Sequence, residues 1–123
     1  MAHILAIDDD ADILHILTEV LTGDGHTVDT AENGKVGLKL TELNDYDLII
    51  TDMLMPEMDG IETIMAIRGK SRTTRIIVLT GGSAVIDKSY LLATAKAIKA
   101  NKVLSKPIDL KELKATVNEL LAS

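Results

Sequence analysis

The chain has 123 residues, 46% of them hydrophobic, which is enough material for one domain with a substantial core. It contains no cysteine, which excludes disulfide bridges and thiolate metal sites, and its formal net charge of −6 argues against a basic nucleic-acid-binding surface. No apolar run approaches the roughly 20 residues that span a bilayer, and no targeting segment precedes the first apolar run. We expect one cytoplasmic domain that binds neither membranes nor nucleic acids.

The chain alternates short apolar segments with longer segments of helical periodicity. The apolar segments have the length of buried strands and are bounded by turn residues. The five predicted strands are Ile4–Ile7, His26–Thr30, Tyr46–Thr51, Arg75–Leu79 and Lys102–Leu104.

A helix-like segment follows each predicted strand, the fourth of them over Ser83–Ala100. Their predicted buried positions are Ile13, Leu17, Val20 and Leu21 in the first, Val36, Leu40 and Leu43 in the second, Ile61, Ile64, Met65 and Ile67 in the third, Leu91, Leu92, Ala95 and Ile98 in the fourth, and Leu110, Leu113, Val117, Leu120 and Leu121 in the fifth. Asp59 with Glu62, and Asp109 with Glu112, have the spacing of a helix capping box. Five such repeats with short links predict an α/β fold, a doubly wound parallel sheet with helices on both faces.

Polar residues follow four of the five predicted strands. They are Asp8, Asp9 and Asp10 after the first, Asp52 after the third, Thr80 after the fourth and Lys106 after the fifth. Singly, each has a simpler interpretation: an Asp can cap a helix, a Thr can belong to a strand, and a Lys can be solvated. Because the carboxyl ends of parallel strands meet at one rim, where ligands bind, the common position of these residues favours a shared site.

The charges of this site indicate what it binds. Two carboxylates about 4 Å apart repel by roughly 4 kcal/mol at an effective dielectric constant of about 20. Lys106 supplies one positive charge, and Mg²⁺ suits the available carboxylate and carbonyl oxygens. Neither a phosphate-binding Gly-Lys-Ser/Thr loop nor Gly-x-Gly-x-x-Gly is present, so a phosphoryl group carried by Asp52 itself fits best. Mg²⁺ and Lys106 would neutralise that group, and the Thr80 hydroxyl would hydrogen-bond it.

Over essentially its whole length, the sequence resembles the receiver domain of two-component response regulators. The resemblance is carried by Asp8-Asp9 after Ile-Leu-Ala-Ile, the segment Asp52-Met-Leu-Met-Pro-Glu-Met-Asp-Gly60, Thr80 after Ile-Val-Leu, and Lys106-Pro107. It implies a flavodoxin-like five-stranded sheet of order 2-1-3-4-5 with five helices, and a cis peptide bond before Pro107.

The resemblance also implies roles for the rim residues. Asp52 would be the phosphoacceptor, and Thr80 and Lys106 would contact the phosphoryl group. The implied Mg²⁺ ligands are Asp8, Asp9, Asp52 and the backbone carbonyl of Leu54. A sensor histidine kinase or histidine phosphotransfer protein would donate the phosphoryl group, and phosphorylation would change affinity for a protein target or the group would be passed on. We expect a non-enzymatic, monomeric or weakly dimeric receiver domain over residues 1–123, with no output domain.

The sequence departs from the family pattern at one position near Lys106. Val103 stands three residues before the lysine, where the family usually has Tyr or Phe, although a Val there also suits a strand core. We hypothesise that signalling relies on the Thr80 loop, with Gly81-Gly82 permitting movement. Leu54 and Gly82, which correspond to positions that tune phosphoryl loss, cannot orient water, so we predict slow self-dephosphorylation.

Two other functions remain as alternatives. A receiver-like interaction module that is never phosphorylated is disfavoured because no member of the site is missing. An aspartate-nucleophile phosphatase of the haloacid dehalogenase type needs a second Asp two residues after the nucleophile, where Leu54 stands.

Overall fold

Five parallel strands form the centre of the fold in the computed structural model, which describes residues 1–53, 60–71, 73–81, 93, 96 and 99–122. The strands are β1 (His3–Ile7), β2 (Thr27–Ala31), β3 (Leu48–Asp52), β4 (Arg75–Thr80) and β5 (Lys102–Ser105). They pair in the order β2-β1-β3-β4-β5, which confirms the predicted class and strand order. Asp52 and Thr80 are the last residues of their strands, one position later than the predicted strand ends.

The described helices are α1 (Ala11–Gly23), α2 (Gly34–Leu43), α3 (Gly60–Lys70) and α4 (Leu110–Ala122). The helix predicted over residues 83–100 lies mostly outside the described residues, within which Ala93 and Lys96 are helical. The structure therefore delimits four of the five predicted helices. In the described part of the chain, no helix has both the length and the apolar character needed to cross a membrane.

The two faces of the sheet carry separate cores, because side chains alternate between the faces along each strand. The first core contains Ile4, Ala6, Leu48, Ile50, Ile77 and Leu79 from the sheet, packed against Leu17 and Leu21 of α1 and Leu113, Val117 and Leu120 of α4. The second contains Leu5, Ile7, Ile49, Ile76 and Val78, packed against Ile64 and Ile67 of α3 and the side chain of Tyr46. Burial on both faces explains why the central strands are apolar throughout.

The predicted buried face of α2 is wrong at two of its three positions, whereas Leu40 is partly buried and packs against the second core. Val36 and Leu43 are 39% and 75% exposed, and the helix instead approaches the sheet through Gly34 and Gly37, which are buried. A Cβ atom at Gly37 would overlap the side chain of Ile7, so glycine permits this close approach. Two other predicted core residues are also exposed: Met65 on α3 is 60% exposed, and Leu110 at the start of α4 is 43% exposed.

Side-chain caps begin three of the described helices. Asp10 accepts a hydrogen bond from the Asp12 amide at α1, and Asn33 accepts one from the Val36 amide at α2. Asp109 accepts from the amides of Lys111 and Glu112, as the sequence predicts for that position. Each cap satisfies amides that have no partner within the helix. The corresponding prediction for Asp59 lies outside the described residues.

Candidate functional site

Three predicted carboxylates converge at the carboxyl rim of the sheet. Strands β1 and β3 are neighbours, with Ile7 aligned to Thr51, so Asp8 and Asp52 lie side by side at the ends of adjacent strands. One oxygen each from Asp8, Asp9 and Asp52 lies within 4.8 Å of the others. Asp8 is fully buried and Asp52 is 6% exposed, whereas Asp9 faces solvent. The strand register thus produces the predicted clustering of negative charge.

Lys106 reaches this group from the loop after β5. Its Nζ atom lies 2.9 Å from Asp8 Oδ2 and 3.3 Å from Asp52 Oδ2, and its side chain is 16% exposed. Burial by itself would lower the pKa of Lys106, but the hydrogen bonding and charge of the two carboxylates outweigh burial and raise that pKa. The ammonium group is therefore charged at neutral pH. We call Asp8, Asp9, Asp52 and Lys106 the rim cluster.

Asp8 is the fully buried carboxylate of the rim cluster. Its Oδ1 accepts a hydrogen bond of 2.9 Å from the Asp10 amide. Its buried Oδ2 contacts the Lys106 ammonium but makes no hydrogen bond of good geometry within the described part of the chain. Burial, which is the largest effect, together with the charge of Asp9, raises the pKa of Asp8 above its usual value despite the amide and the lysine. Among the described residues, one lysine ammonium thus contacts a cluster of three carboxylates.

Asp10 stands apart from this group, although the sequence places it at the same rim. Its side chain accepts from the Asp12 amide and caps α1, so it does not join the three clustered carboxylates. Its amide instead orients Asp8, a contact that the sequence interpretation missed. The signal was readable, because an Asp side chain commonly accepts from the amide two residues later.

Thr80 and Leu54 complete the predicted site. Thr80 is 7% exposed at the end of β4, one residue beyond Leu79, which aligns with Asp52. Its carbonyl accepts a hydrogen bond of 2.6 Å from the Lys106 amide. The role predicted for its hydroxyl stays a prediction, and the predicted carbonyl ligand of Leu54 lies outside the described residues.

Two features near Lys106 match sequence expectations. The Lys106–Pro107 peptide bond is cis, as the resemblance implies. Val103 pairs with Val78 of β4 and packs, partly buried, against the second core. Its position suits the simpler interpretation of Val103 as a strand residue of the core.

The rim cluster has the donor set of a hard divalent cation. Three carboxylates supply oxygen ligands, and the buried Asp8 Oδ2 has unused acceptor capacity in the described structure. Mg²⁺ prefers oxygen ligands and commonly binds through one or two carboxylates. The residues present therefore fit Mg²⁺.

A family model and the similar curated sequences identify the same family. The family model described as the response regulator receiver domain matches residues 4–118. Response regulator ArlR of Staphylococcus epidermidis is 35% identical over 121 residues, which cover 98% of this chain and 53% of the relative. Transcriptional regulatory protein TcrA of Mycobacterium tuberculosis is 32% identical over 117 residues, which cover 95% of this chain and 45% of the relative. The chain spans about half the length of these curated relatives.

Solved structures match over nearly the full length of both chains. Response regulator TrrA of Thermotoga maritima, in complex with Mg²⁺ and BeF, is 38% identical with a TM-score of 0.84, covering 98% of this chain and 99% of that one. Chemotaxis protein CheY4 of Vibrio cholerae is 31% identical with a TM-score of 0.88, covering 98% of each chain. Sequence and fold comparisons therefore point to the same family.

Proposed function

Because the chain belongs to the response regulator receiver domain family, whose members are phosphorylated on an aspartate, we propose that Asp52 is the phosphoacceptor of a two-component phosphorelay. The observation that carries this proposal is Lys106 Nζ, which lies within 3.3 Å of both Asp8 and Asp52 at the carboxyl rim. A buried cation among clustered carboxylates is the arrangement that phosphoryl transfer to a carboxylate needs, because negative charge accumulates there during transfer.

The proposed step is a transfer from phosphohistidine to carboxylate. A carboxylate oxygen of Asp52 attacks phosphorus, the new O–P bond forms as the N–P bond breaks, and the imidazole of the donor leaves with the electron pair. The Lys106 ammonium offsets the charge that gathers on the phosphoryl oxygens, and the Thr80 hydroxyl donates a hydrogen bond to one of them. The donor is a sensor histidine kinase or a histidine phosphotransfer protein.

The rim carboxylates would hold Mg²⁺ in this scheme. Its proposed ligands are Asp8, Asp9, Asp52 and the backbone carbonyl of Leu54. When bound, Mg²⁺ neutralises negative charge on the phosphoryl oxygens. The three clustered carboxylates support this assignment, as does the Mg²⁺ complex of the similar TrrA structure.

Phosphorylation would then act as a population shift. A phosphoryl group adds about two negative charges and strong acceptor oxygens beside Lys106. Thr80 and the segment after it would respond, and with Val103 at the usual aromatic position, the relay would pass through the Gly81-Gly82 backbone. We propose that residues 1–123 act in the cytoplasm as a monomeric or weakly dimeric receiver. It turns over only its own phosphoryl group, slowly, and controls a protein target or a further phosphotransfer.

The test is to incubate the protein with acetyl phosphate and Mg²⁺ and to measure its intact mass. We expect an adduct of one phosphoryl group that is labile at alkaline pH and absent in Asp52→Asn. Asp29→Asn, which alters a carboxylate of β2 outside the rim cluster, is the matched control and should keep the adduct. An adduct that persists in Asp52→Asn would overturn the proposal, and sustained turnover of phosphate esters would indicate the phosphatase alternative.

A further inference from the structure

Gly81 has a backbone conformation that only glycine adopts readily. It follows Thr80 at the end of β4 with a φ angle of +120°, in the region that disfavours residues with a Cβ atom. A Cβ built at Gly81 would lie 3.2 Å from the Lys106 carbonyl oxygen and 3.3 Å from both the Lys106 amide nitrogen and its Cβ atom. Two of these neighbours are backbone atoms, which cannot rotate out of the way. A side chain at 81 must therefore displace the Lys106 backbone.

The Lys106 backbone is in turn the base from which its ammonium reaches the carboxylates. The Lys106 amide donates to the Thr80 carbonyl at 2.6 Å, which holds the loop after β5 against the end of β4. From there the side chain extends to Asp8 and Asp52, with Nζ distances of 2.9 and 3.3 Å. A backbone shift of a few tenths of an ångström is enough to lengthen these Nζ–oxygen distances beyond those of good hydrogen bonds.

We propose that Gly81 is a positioning residue: its missing side chain lets the Lys106 backbone approach β4 closely enough to place the ammonium between Asp8 and Asp52. The expected effect on phosphorylation rests on the proposed function, whereas the expected effect of Gly81 on the position of Lys106 does not. Because small misplacements of charge-stabilising groups slow transfer, Gly81→Ala should slow phosphorylation by acetyl phosphate roughly threefold to tenfold.

Gly25 offers a matched control within the same chain. It also has a positive φ angle, +92°, but the nearest atom to a Cβ built there is Met1 Cγ at 3.9 Å. Gly25→Ala therefore introduces backbone strain but no contact with Lys106. Gly81→Ala introduces the same kind of strain and also a close contact with Lys106. We expect both variants to lower the melting temperature. Only Gly81→Ala should shift the side-chain NMR resonances of Lys106 in the unphosphorylated protein.

A double-mutant cycle tests whether Gly81 acts through Lys106. In a Lys106→Ala background, the slowing caused by Gly81→Ala should fall to within about twofold. Slowing of the same size in both backgrounds, or unchanged Lys106 resonances in Gly81→Ala, would overturn the inference. If the wild type accepts no phosphoryl group, the proposed function fails, and the Lys106 resonances still decide this inference.

A second variant covers the case in which Gly81→Ala does not fold. A d-alanine introduced at 81 by semisynthesis tolerates a positive φ angle and directs its methyl group away from the position of an l-Cβ atom. We expect a melting temperature and Lys106 resonances close to those of the wild type. Loss of folding or displaced Lys106 resonances with d-alanine would also overturn the inference, because the contact of an l-side chain would then not be the cause.

Discussion

Two clusters of polar side chains contact the same sheet, one at the carboxyl ends of β1 and β3 and one toward their amino ends. In the second, the amino-end cluster, Asp29 Oδ2 accepts a hydrogen bond of 2.7 Å from the Tyr46 hydroxyl and lies 2.9 Å from His3 Nε2. The rings of His3 and Tyr46 are 4.5 Å apart between centroids. In the rim cluster, the single ammonium of Lys106 faces three clustered carboxylates.

The difference lies in how completely each carboxylate is compensated. Asp29 is partly exposed and has two partners on one oxygen, so its contacts suit packing of β1, β2 and β3. Asp8 is fully buried, and its Oδ2 is left without a well-formed hydrogen bond in the described structure. A buried charge in this condition costs stability. We infer that the rim cluster retains that cost because the proposed binding of Mg²⁺ needs clustered carboxylates.

The largest expected effect comes from removing the cation of the rim cluster. Lys106→Ala leaves the buried carboxylates of Asp8 and Asp52 without the ammonium group that contacts both. We therefore expect the free energy of unfolding in urea to fall by about 2 kcal/mol in the absence of Mg²⁺. Saturating Mg²⁺ should recover part of this loss, since it binds the folded state. The control is Lys70→Ala, which removes an exposed ion pair with Glu42 and should cost less than about 0.5 kcal/mol at any Mg²⁺ concentration. If the loss in free energy of unfolding of Lys106→Ala were the same with and without Mg²⁺, the rim cluster would not bind Mg²⁺ as expected.

A smaller effect of opposite sign is expected from neutralising the buried carboxylate. Asp8→Asn keeps an acceptor for the Asp10 amide but removes the buried charge, so we expect the free energy of unfolding to rise by about 1 kcal/mol. Mg²⁺ affinity, measured by titration, should fall at least about tenfold. Asp29→Asn is the comparison in the amino-end cluster and should lower stability instead. If Asp8→Asn were the destabilising variant, the two clusters would not differ as described.

The smallest effect belongs to the hydroxyl of Tyr46. Tyr46→Phe removes the hydrogen bond to Asp29 and keeps the ring, so the free energy of unfolding should fall by about 0.5 kcal/mol near neutral pH. Burial first, and then the hydrogen bond and charge of Asp29, raise the pKa of Tyr46 above its ordinary value of 10.0. The folded protein therefore holds this proton more tightly, and the stabilisation is present below about pH 10 and lost as the pH rises further.

The corresponding measurement is urea unfolding of wild type and Tyr46→Phe across the alkaline range. The advantage of the wild type should be constant below about pH 10 and should shrink above it. A constant difference at all pH values would show that ionisation of Tyr46 is not coupled to folding.

The strands and the polar residues that end them were predictable because they depend on short-range signals, whereas the order of the strands in the sheet came from the resemblance to the receiver family. Apolar runs of strand length mark the buried strands, and polar residues directly after them mark the rim. The packed face of α2 was not predictable in this way. Periodicity counts apolar side chains, whereas α2 approaches β1 through Gly37, where the absence of a side chain matters. Asp10 follows the simpler interpretation given for the Asp run, since its side chain caps α1.

By itself, the sequence determined which segments are strands and helices and which polar residues end the strands, since these follow from local composition and spacing. Only the tertiary structure decided which charges meet. Asp8, Asp52 and Lys106 come from three different strand ends, and electrostatic interaction depends on distances across the sheet rather than along the chain. The close approach of Gly81 to Lys106 is likewise a contact between two loops, and no spacing within either loop encodes it.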